Sequence, residues 1–278
     1  LGDGSGNTTR IGDTGSAGGG SGVLTQTGGN FFMNSGEMRI GNNNNGGGNG
    51  LYDISGGTFS TTGGRDGGLQ PFGNVMINRN KVPSSGNTSL AELRISGTAT
   101  VNLGDSDTGG AALGFGTGIG ASASSILSIT GSQAVINIDS IQMVNQLYGV
   151  ADDTNRIKLS FDETGISLIN LTGNFVYNGV DSASAILAQG LLDVDYTGAP
   201  LAGGTFFDVM VGDAILWDPS FGLDPADASA GWSLSLLGDH AIGGGSDTLR
   251  LTFGSVPEPG SALLLGLGGV LLARRRRV

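Results

Sequence analysis

The single histidine of the chain, His240, lies beside Asp239 in the segment GDHAIGGG. Histidine is the side chain that most readily exchanges protons near neutral pH. A serine hydrolase needs such a base held beside a nucleophilic serine. The nucleophile-elbow pattern Gly-x-Ser-x-Gly does not occur in the sequence. The favoured interpretation is a histidine in an exposed turn, and no catalytic triad is predicted.

Neighbouring carboxylates are the next candidates, because glycosidases work with paired acids on either side of the bond they cleave. Three such pairs occur: Asp105 with Asp107, Asp152 with Asp153, and Asp162 with Glu163. Each pair lies in or beside a segment of Gly, Thr or Asn, where aspartate is an ordinary turn residue. Turn chemistry is therefore favoured over catalysis, and the sequence predicts that the protein is not an enzyme.

The composition contains few of the residues that usually bind metals or cofactors. The chain has no cysteine and one histidine, which excludes disulfides, thiolate sites and multi-histidine metal sites. Asp105 and Asp107 offer alternating oxygen ligands, but neither the twelve-residue calcium loop nor the Gly-Gly-x-Gly-x-Asp repeat is present. No cofactor is predicted, and structural calcium is the alternative.

The distribution of charge argues against a nucleic-acid partner. The 278 residues include 13 Lys and Arg against 24 Asp and Glu, for a formal net charge of −11. Four of the basic residues are Arg274–Arg277 at the C-terminus, so the rest of the chain is more acidic still. An acidic body repels phosphate backbones, and no basic stripe is present to attract them.

The N-terminal half consists of imperfect repeats that are rich in glycine and asparagine. Arg10–Gly29 and Arg39–Gly57 share an Arg-Ile-Gly start, a polar loop, a short apolar segment and a glycine corner. The apolar segment and its corner recur from Leu90 and from Ser125. Glycine at each corner permits a sharp bend. The predicted corner residues are Gly28, Gly56, Gly97 and Gly131.

Short segments with alternating apolar and polar residues predict strands in these repeats, without helices between them. Strands joined only by corners can coil into a parallel β-solenoid, in which each turn buries its apolar side against the next. We expect this fold for residues 1–139, with a Gly-rich disordered linker as the alternative. Residues 65–89, which contain Arg79 and Lys81, are predicted to form a protruding insertion with a short hairpin or edge strand.

Residues 140–254 have longer alternating segments, such as RIKLSF, TFFDVMVG and DTLRLTFG, separated by glycine-rich turns. Alternation of this kind is typical of strands with one buried face. A solenoid needs an end that prevents edge-to-edge association. We therefore expect an all-β capping region, with further solenoid turns as the alternative. Its aromatic residues, and those of the repeats, are expected in the core: Phe31, Phe32, Phe206, Phe207, Trp217 and Trp232.

Residues 255–278 form a third segment. Its prolines, Pro257 and Pro259, cannot continue a sheet or a helix. Ser261–Ala273 is uncharged and mostly aliphatic or glycine, and as a helix it would be roughly 20 Å long. The arginine cluster Arg274–Arg277 would stay on the cytoplasmic side of a membrane. The sequence predicts a short C-terminal transmembrane helix with the body on the opposite side.

This tail resembles the PEP-CTERM sorting signal of exported bacterial proteins, through Pro257, Glu258 and Pro259, the apolar span, and the cluster Arg274, Arg275, Arg276 and Arg277. The resemblance implies a transient anchor in the inner membrane, processing by an exosortase-type transpeptidase at the Pro-Glu-Pro region, and a final place at the cell surface or outside the cell. Such proteins often accompany exopolysaccharide. The repeats between Arg10 and Ile138 resemble those of autotransporter-type β-helix passengers.

Two classes of function fit these observations. The first is a structural or adhesive protein of the bacterial surface or extracellular matrix, and the missing catalytic constellation favours it. The alternative is a carbohydrate-active or carbohydrate-binding β-helix protein that acts on exopolysaccharide. An acidic and aromatic groove along one face would favour the alternative, whereas a featureless surface of Asn, Ser, Thr and Gly would favour the first.

Overall fold

The computed structural model describes residues 8–14, 20–34, 36–43, 48–62, 74–80, 89–104, 111–116, 123–143, 155–177, 180–238 and 245–254. This part of the chain is mostly β, with long parallel sheets and one short helix. The strands are, in chain order, β1 (Thr8–Thr14), β2 (Ser21–Met33), β3 (Glu37–Asn43), β4 (Asn49–Thr61), β5 (Val75–Asn80), β6 (Ser89–Ile95), β7 (Thr100–Leu103), β8 (Leu113–Phe115), β9 (Ala123–Thr130), β10 (Val135–Ile138), β11 (Ile141–Met143), β12 (Asn155–Phe161), β13 (Ile169–Leu171), β14 (Phe175–Tyr177), β15 (Val180–Ala183), β16 (Ala185–Leu187), β17 (Gly190–Tyr196), β18 (Thr205–Gly212), β19 (Ile215–Trp217), β20 (Phe221–Leu223), β21 (Trp232–Leu237) and β22 (Asp247–Phe253), and helix α1 (Pro225–Ser229) precedes β21.

Three ladders of parallel strands form the body. Face 1 consists of β1, β3, β5, β8, β11, β16 and β19, paired in that order. Face 2 consists of the first halves of β2 and β4, followed by β6, β9, β12, β17 and β20. Face 3 consists of the second halves of β2 and β4, followed by β7, β10, β13 and β18. Each turn of the chain therefore adds one strand to each face, and successive turns stack in register.

Glycines mark the corner between face 2 and face 3. Gly57 has a φ of 76°, and a Cβ atom added to it would lie 2.2 Å from the carbonyl oxygen of Gly29 in the preceding turn. An L-residue is strained in this left-handed conformation even without such a clash. The corner residues with positive φ are Gly29, Gly57, Gly97, Gly131 and Gly165. The prediction was wrong by one residue at Gly28 and Gly56, because the second glycine of each pair carries the bend.

The two Arg-Ile-Gly motifs lie side by side on face 1. Arg10 is paired with Arg39 and Ile11 with Ile40, as the sequence alignment predicts. The prediction of a protruding insertion at residues 65–89 is wrong for the part that the structure describes. Val75–Asn80 is strand β5, which pairs with β3 on one side and β8 on the other. Its run of apolar residues does not alternate, because both sides of this strand are buried.

Burial on both sides extends along face 1. Met38 and Ile40 point inward and are fully buried, and the outward-pointing Met76 is only 1% exposed. The outward side also holds a buried ion pair, in which the guanidinium of Arg39 donates to Glu37 Oε2 at 2.6 and 2.8 Å. Pairing of this kind is needed because an isolated buried charge is very costly. The middle strands of face 1 are therefore buried on both sides, whereas Arg10 of β1 and Leu216 of β19, at the two ends of the ladder, are exposed.

One hydrophobic core receives side chains from all three faces. Tyr52 and Phe59 lie within it, with ring centroids 5.1 Å apart. The Tyr52 hydroxyl donates a hydrogen bond to Gln26 Oε1 at 2.6 Å, and burial raises its pKa. The amide nitrogen of Gln26 donates in turn to the carbonyl of Thr58 at 3.0 Å. These bonds satisfy the polar groups that the first corner would otherwise bury without partners.

The parallel ladders continue past residue 139, where the composition of the sequence changes. On face 3, β10 pairs with β13, and β13 pairs with β18. On face 2, β9, β12 and β17 are consecutive neighbours. The compositional boundary is therefore not accompanied by a change in strand pairing. Antiparallel strand pairs appear, within the described part of the chain, in the β14–β15 hairpin and in the β18–β22 and β21–β22 pairs. A single antiparallel bridge also joins Asp162 to Gly165 at the corner after β12.

The C-terminal end of the stacked turns is closed differently on each face. On face 3, β22 pairs antiparallel with β18, and β21 pairs with β22. On face 2, helix α1 follows β20, and Asp227 Oδ2 accepts a hydrogen bond from the backbone of Val194 at 2.8 Å. On face 1, the buried carboxylate of Asp247 accepts from the backbone of Ile215 at 2.9 Å. These groups use strand-edge donors that could otherwise pair with another chain.

Within the described residues, no helix has the length and hydropathy needed to cross a bilayer. The predicted transmembrane helix falls in residues 255–278, outside the described residues.

Candidate binding surface

Most of the candidates for chemistry from the sequence lie outside the described residues: His240 and Asp239, Asp105 and Asp107, and Asp152 and Asp153. The remaining pair lies at the corner after β12. Asp162 Oδ1 accepts from the backbone and the hydroxyl of Thr164 at 2.8 and 2.6 Å, and these bonds lower its pKa. Glu163 Oε2 accepts from the backbone of Ala199 at 3.2 Å. Both carboxylates therefore accept hydrogen bonds from turn residues.

The same described ranges contain no group of three or more side chains suited to hold a metal ion.

The aromatic residues divide between core and surface. Trp232 is buried, and Phe31 and Phe207 pack partly buried against the core. The core prediction is wrong for Phe32 and Phe206, which are 58% and 53% exposed. Consecutive residues of a strand point to opposite sides, so two adjacent phenylalanines cannot both face the core.

A shallow depression of about 460 Å³ lies on the outward side of face 2. We call it the face-2 groove. Its floor is formed by three short polar side chains, Ser128, Thr130 and Ser160. Its walls are formed by longer charged side chains on either side: Glu92, Arg94, Lys158, Asp193 and Asp195. The depression exists because small residues of β9 and β12 lie between the longer residues of β6, β12 and β17.

Strand register aligns the charged residues of the groove in rows along the stack. Arg94 is paired with Ser128, Ser128 with Lys158, and Lys158 with Asp193. Asp53 precedes this row, opposite Arg94. Neighbouring parallel strands lie about 4.8 Å apart, so opposite charges along the row are close enough to attract one another.

Arg94 is fixed in place by Glu92. Its Nε and Nη2 atoms donate to the two carboxylate oxygens at 3.1 and 3.0 Å, and this bidentate bond raises the pKa of Arg94. Ser128 donates to the same carboxylate at 2.7 Å. Bidentate arginine–carboxylate pairs hold a specific geometry. This wall of the groove is therefore preorganised.

The opposite wall is held more loosely. The ammonium of Lys158 lies 3.4 Å from Asp193 Oδ2, and Lys158 is about half exposed. Ser160 donates to Asp195 Oδ2 at 3.2 Å. Ion pairs exposed to water contribute little to stability, so these side chains are available for contacts with a ligand.

The carboxylate of Asp224 lies beyond the groove, toward the C-terminal end of face 2. Arg156 donates to Asp224 Oδ2 at 2.9 Å. Asp224 Oδ1 also accepts from the backbone of Ala226 at the start of α1, at 3.0 Å. The bond from Ala226 and the neighbouring guanidinium lower the pKa of Asp224. This carboxylate links β12 of face 2 to the start of α1.

Face 3 carries a short ladder of asparagines on its outward side. Asn137 donates from Nδ2 to Asn102 Oδ1 at 2.8 Å, and Asn170 donates to Asn137 Oδ1 at 3.3 Å. Each residue is directly opposite the next in the parallel register. Identical residues in register can form such side-chain ladders along a stack of strands. The ladder gives face 3 a regular polar surface.

The face-2 groove was not predicted from the sequence. A signal was present in the spacing Glu92-x-Arg94 and Asp193-x-Asp195, because residues two apart on a strand share one side. Recognising the groove also required the register between strands that lie 30 to 40 residues apart in the chain, as with the pairing of Arg94 and Ser128.

Comparison with known proteins identifies one feature. No curated protein and no solved structure matches the chain. Residues 255–277 match the family described as the PEP-CTERM protein-sorting motif. This match includes Pro257, Glu258 and Pro259 and the arginines Arg274–Arg277, as the resemblance in the sequence suggests. The chain therefore carries a C-terminal PEP-CTERM motif, which implies an exported protein, associated with membrane or surface, that exosortase processes.

Proposed function

We propose that this protein is a structural or adhesive component of the bacterial surface or extracellular matrix. In this proposal the stacked turns form a β-solenoid whose outward faces are presented to other molecules, without chemical turnover. The observation that carries the proposal is the sorting motif at residues 255–277, placed directly after a body of stacked parallel strands.

In this proposal the tail brings the body of the protein to the outer side of the inner membrane. Ser261–Ala273 would cross the inner membrane as a short helix, and Arg274–Arg277 would remain in the cytoplasm. The body would then lie on the far side, with the Pro257-Glu258-Pro259 region accessible to an exosortase-type transpeptidase. Cleavage there would separate the body from its anchor and leave it at the surface or outside the cell.

The body has properties that suit such a role. Its described carboxylate pair, Asp162 and Glu163, is engaged in turns. Its last turn is closed by the β21–β22 hairpin, which limits uncontrolled edge-to-edge growth. Its outward surfaces on face 2 and face 3 carry polar residues aligned in register. These features support presentation of a repeating surface.

Export can be tested in the native cell by locating the protein in three strains. The wild-type strain is expected to show the body at the surface or in the medium. A strain with residues 255–278 deleted and a strain without exosortase activity should both lose the correctly placed surface form. Unchanged surface location in both strains would contradict the proposal. A fourth strain is the matched control: it carries Val135→Thr, a change at an exposed position of the body that leaves the tail intact.

A further inference from the structure

We propose that the face-2 groove binds a neutral, hydroxyl-rich oligosaccharide segment of a polysaccharide. This inference rests on the proposed placement of the body outside the cell, where such polymers occur. It does not depend on how the tail is cleaved. The groove is open along the surface, so a polymer chain can lie across it without its ends being enclosed.

The groove offers hydrogen-bond donors that no group in the described part of the chain uses. Two of the three guanidinium nitrogens of Arg94 are bonded to Glu92, but its Nη1 atom lies 3.8 Å from Asp53 Oδ2, beyond hydrogen-bond distance. The ammonium of Lys158 carries three N–H donors and has one carboxylate nearby, at 3.4 Å. The hydroxyl of Thr130 is exposed at the floor.

The groove also offers acceptors beside these donors. Asp195 accepts from Ser160 through Oδ2, and its other oxygen remains available. Asp193 lies next to Lys158 and is partly exposed. A sugar hydroxyl both donates and accepts a hydrogen bond, as serine and threonine hydroxyls do. A site that alternates donors and acceptors over a short distance therefore matches a polyhydroxyl ligand.

The balance of charge selects against ionic ligands. The carboxylates of Glu92, Asp193 and Asp195 face the cations of Arg94 and Lys158, so the lining has a net charge of −1. The net negative lining repels an anionic polymer, and the pairing of Glu92 with Arg94 and of Asp193 with Lys158 leaves little uncompensated charge to attract a cationic one. The volume of about 460 Å³ lies within the range of about 300–1,000 Å³ that is typical of small-ligand sites.

The direct test is binding of the purified full chain, held in a mild detergent, to an array of neutral and acidic oligosaccharides. The neutral set includes glucans, mannans, galactans and xylans, and the acidic set includes polygalacturonate and alginate fragments. Binding to at least one neutral class, without binding to the acidic set, is expected. Binding confined to acidic fragments, or no binding to any neutral fragment, would overturn the proposal.

Variants then locate the site. Thr130→Tyr fills the groove and should weaken binding of the neutral oligosaccharide at least tenfold, whereas Lys158→Ala removes donors and should weaken it several-fold. The matched control is Thr100→Tyr, an outward position on face 3. It should bind as the unmodified protein does. Undiminished binding by Thr130→Tyr and Lys158→Ala, or an equal loss in the control, would place the ligand elsewhere and overturn the proposal. Because exposed Lys158 is tolerant of truncation, its variant remains informative if Thr130→Tyr fails to fold.

The outcome is separable from that of the proposed function. Failure of glycan binding would leave tail processing and surface location unchanged. Failure of export would leave binding by the purified protein unchanged.

Discussion

The Oδ2 atom of Asp247 accepts a hydrogen bond from the backbone N–H of Ile215 at a distance of 2.9 Å. In the preceding turns, the corresponding N–H donates to a carbonyl of the next turn, as Ile141 does to Ser184 and Leu113 does to Ser140. Within the described residues no strand follows β19 on face 1, and the buried carboxylate takes the position of the carbonyl that accepts in the earlier turns. The end of face 1 is thus closed by a side chain from the antiparallel cap.

Truncating this side chain should destabilise the protein. Asp247→Ala leaves the N–H of Ile215 buried without its acceptor, and the expected loss is about 1–3 kcal/mol in the free energy of unfolding. Asp247→Asn keeps an oxygen acceptor and should lose less. Denaturant unfolding measures both values. The exposed Asp195→Ala variant is the control, with a change expected within about 0.5 kcal/mol. An Asp247→Ala variant as stable as the control would contradict this role.

The glycine corner makes a prediction with a neighbouring control. Gly57→Ala should lower the free energy of unfolding by about 2 kcal/mol or more, because an L-residue at a φ of 76° is strained and its Cβ would meet the carbonyl of Gly29. Gly28→Ala has no atom within 4 Å of the added Cβ and no positive φ. Its stability should be nearly unchanged. Equal effects of the two variants in chemical denaturation would refute the assigned corner geometry.

The asparagine ladder predicts an order of effects along face 3. Asn137 is bonded to Asn102 and to Asn170, whereas Asn170 is bonded within the ladder only to Asn137. Asn137→Ala should therefore cost about 1 kcal/mol, and Asn170→Ala less. Thermal unfolding of the two variants under one set of conditions checks the order. A larger loss for Asn170→Ala would show that the ladder bonds do not determine stability.

Acid should weaken the junction between face 2 and the cap. The pKa of Asp224 is lowered by the Ala226 N–H and by Arg156, so its contribution to stability is present above the ordinary aspartate pKa of about 3.9. That contribution is lost as pH falls through the lowered value in the folded protein. The stability difference between the wild type and Asp224→Asn should therefore shrink as pH falls below about 4, as equilibrium unfolding at several pH values can measure.

The pKa of Asp227 is shifted in the opposite direction from that of Asp224, so its contribution to stability should depend on pH in the opposite way. Burial raises the pKa of Asp227, so its contribution is greatest at low pH and declines as pH rises through the raised value. The free energy of unfolding of the wild type should therefore increase relative to that of Asp227→Asn as pH falls. The same trend with pH in both variants would show that one of the two shifts has been assigned the wrong direction.

Much of the fold could be predicted because the repeats place like residues at like positions. The match between the segments that begin at Arg10 and Arg39 gives the correct register on face 1. The short alternating segments after Leu90 and Ser125 become neighbouring strands on face 2, as their similarity implies. In both cases the pattern of buried residues sets the register, since a shift by one residue would move every side chain to the other side.

The errors have physical reasons. Val75–Asn80 lacks alternation because both sides of β5 are buried, so its pattern resembles neither a surface strand nor a loop. Hydrophobicity alone predicts a core position for Phe32 and Phe206. Each of them is adjacent to a phenylalanine that packs against the core, and the strand alternation turns its own side chain to the opposite side. The face-2 groove depends on contacts between neighbouring strands, such as that between Lys158 and Asp193. These strands are far apart in the sequence, and the spacing of residues within one strand does not show which strand pairs with it.

The proposed function requires that the tail directs export and is then removed. The most direct measurement is the intact mass of the surface or extracellular form isolated from the native cell. A mature chain that ends within or close to the Pro257-Glu258-Pro259 region, without Ser261–Val278, is the predicted result. A mature surface form that retains Ser261–Val278 would contradict processing by exosortase and would identify the tail as a permanent anchor.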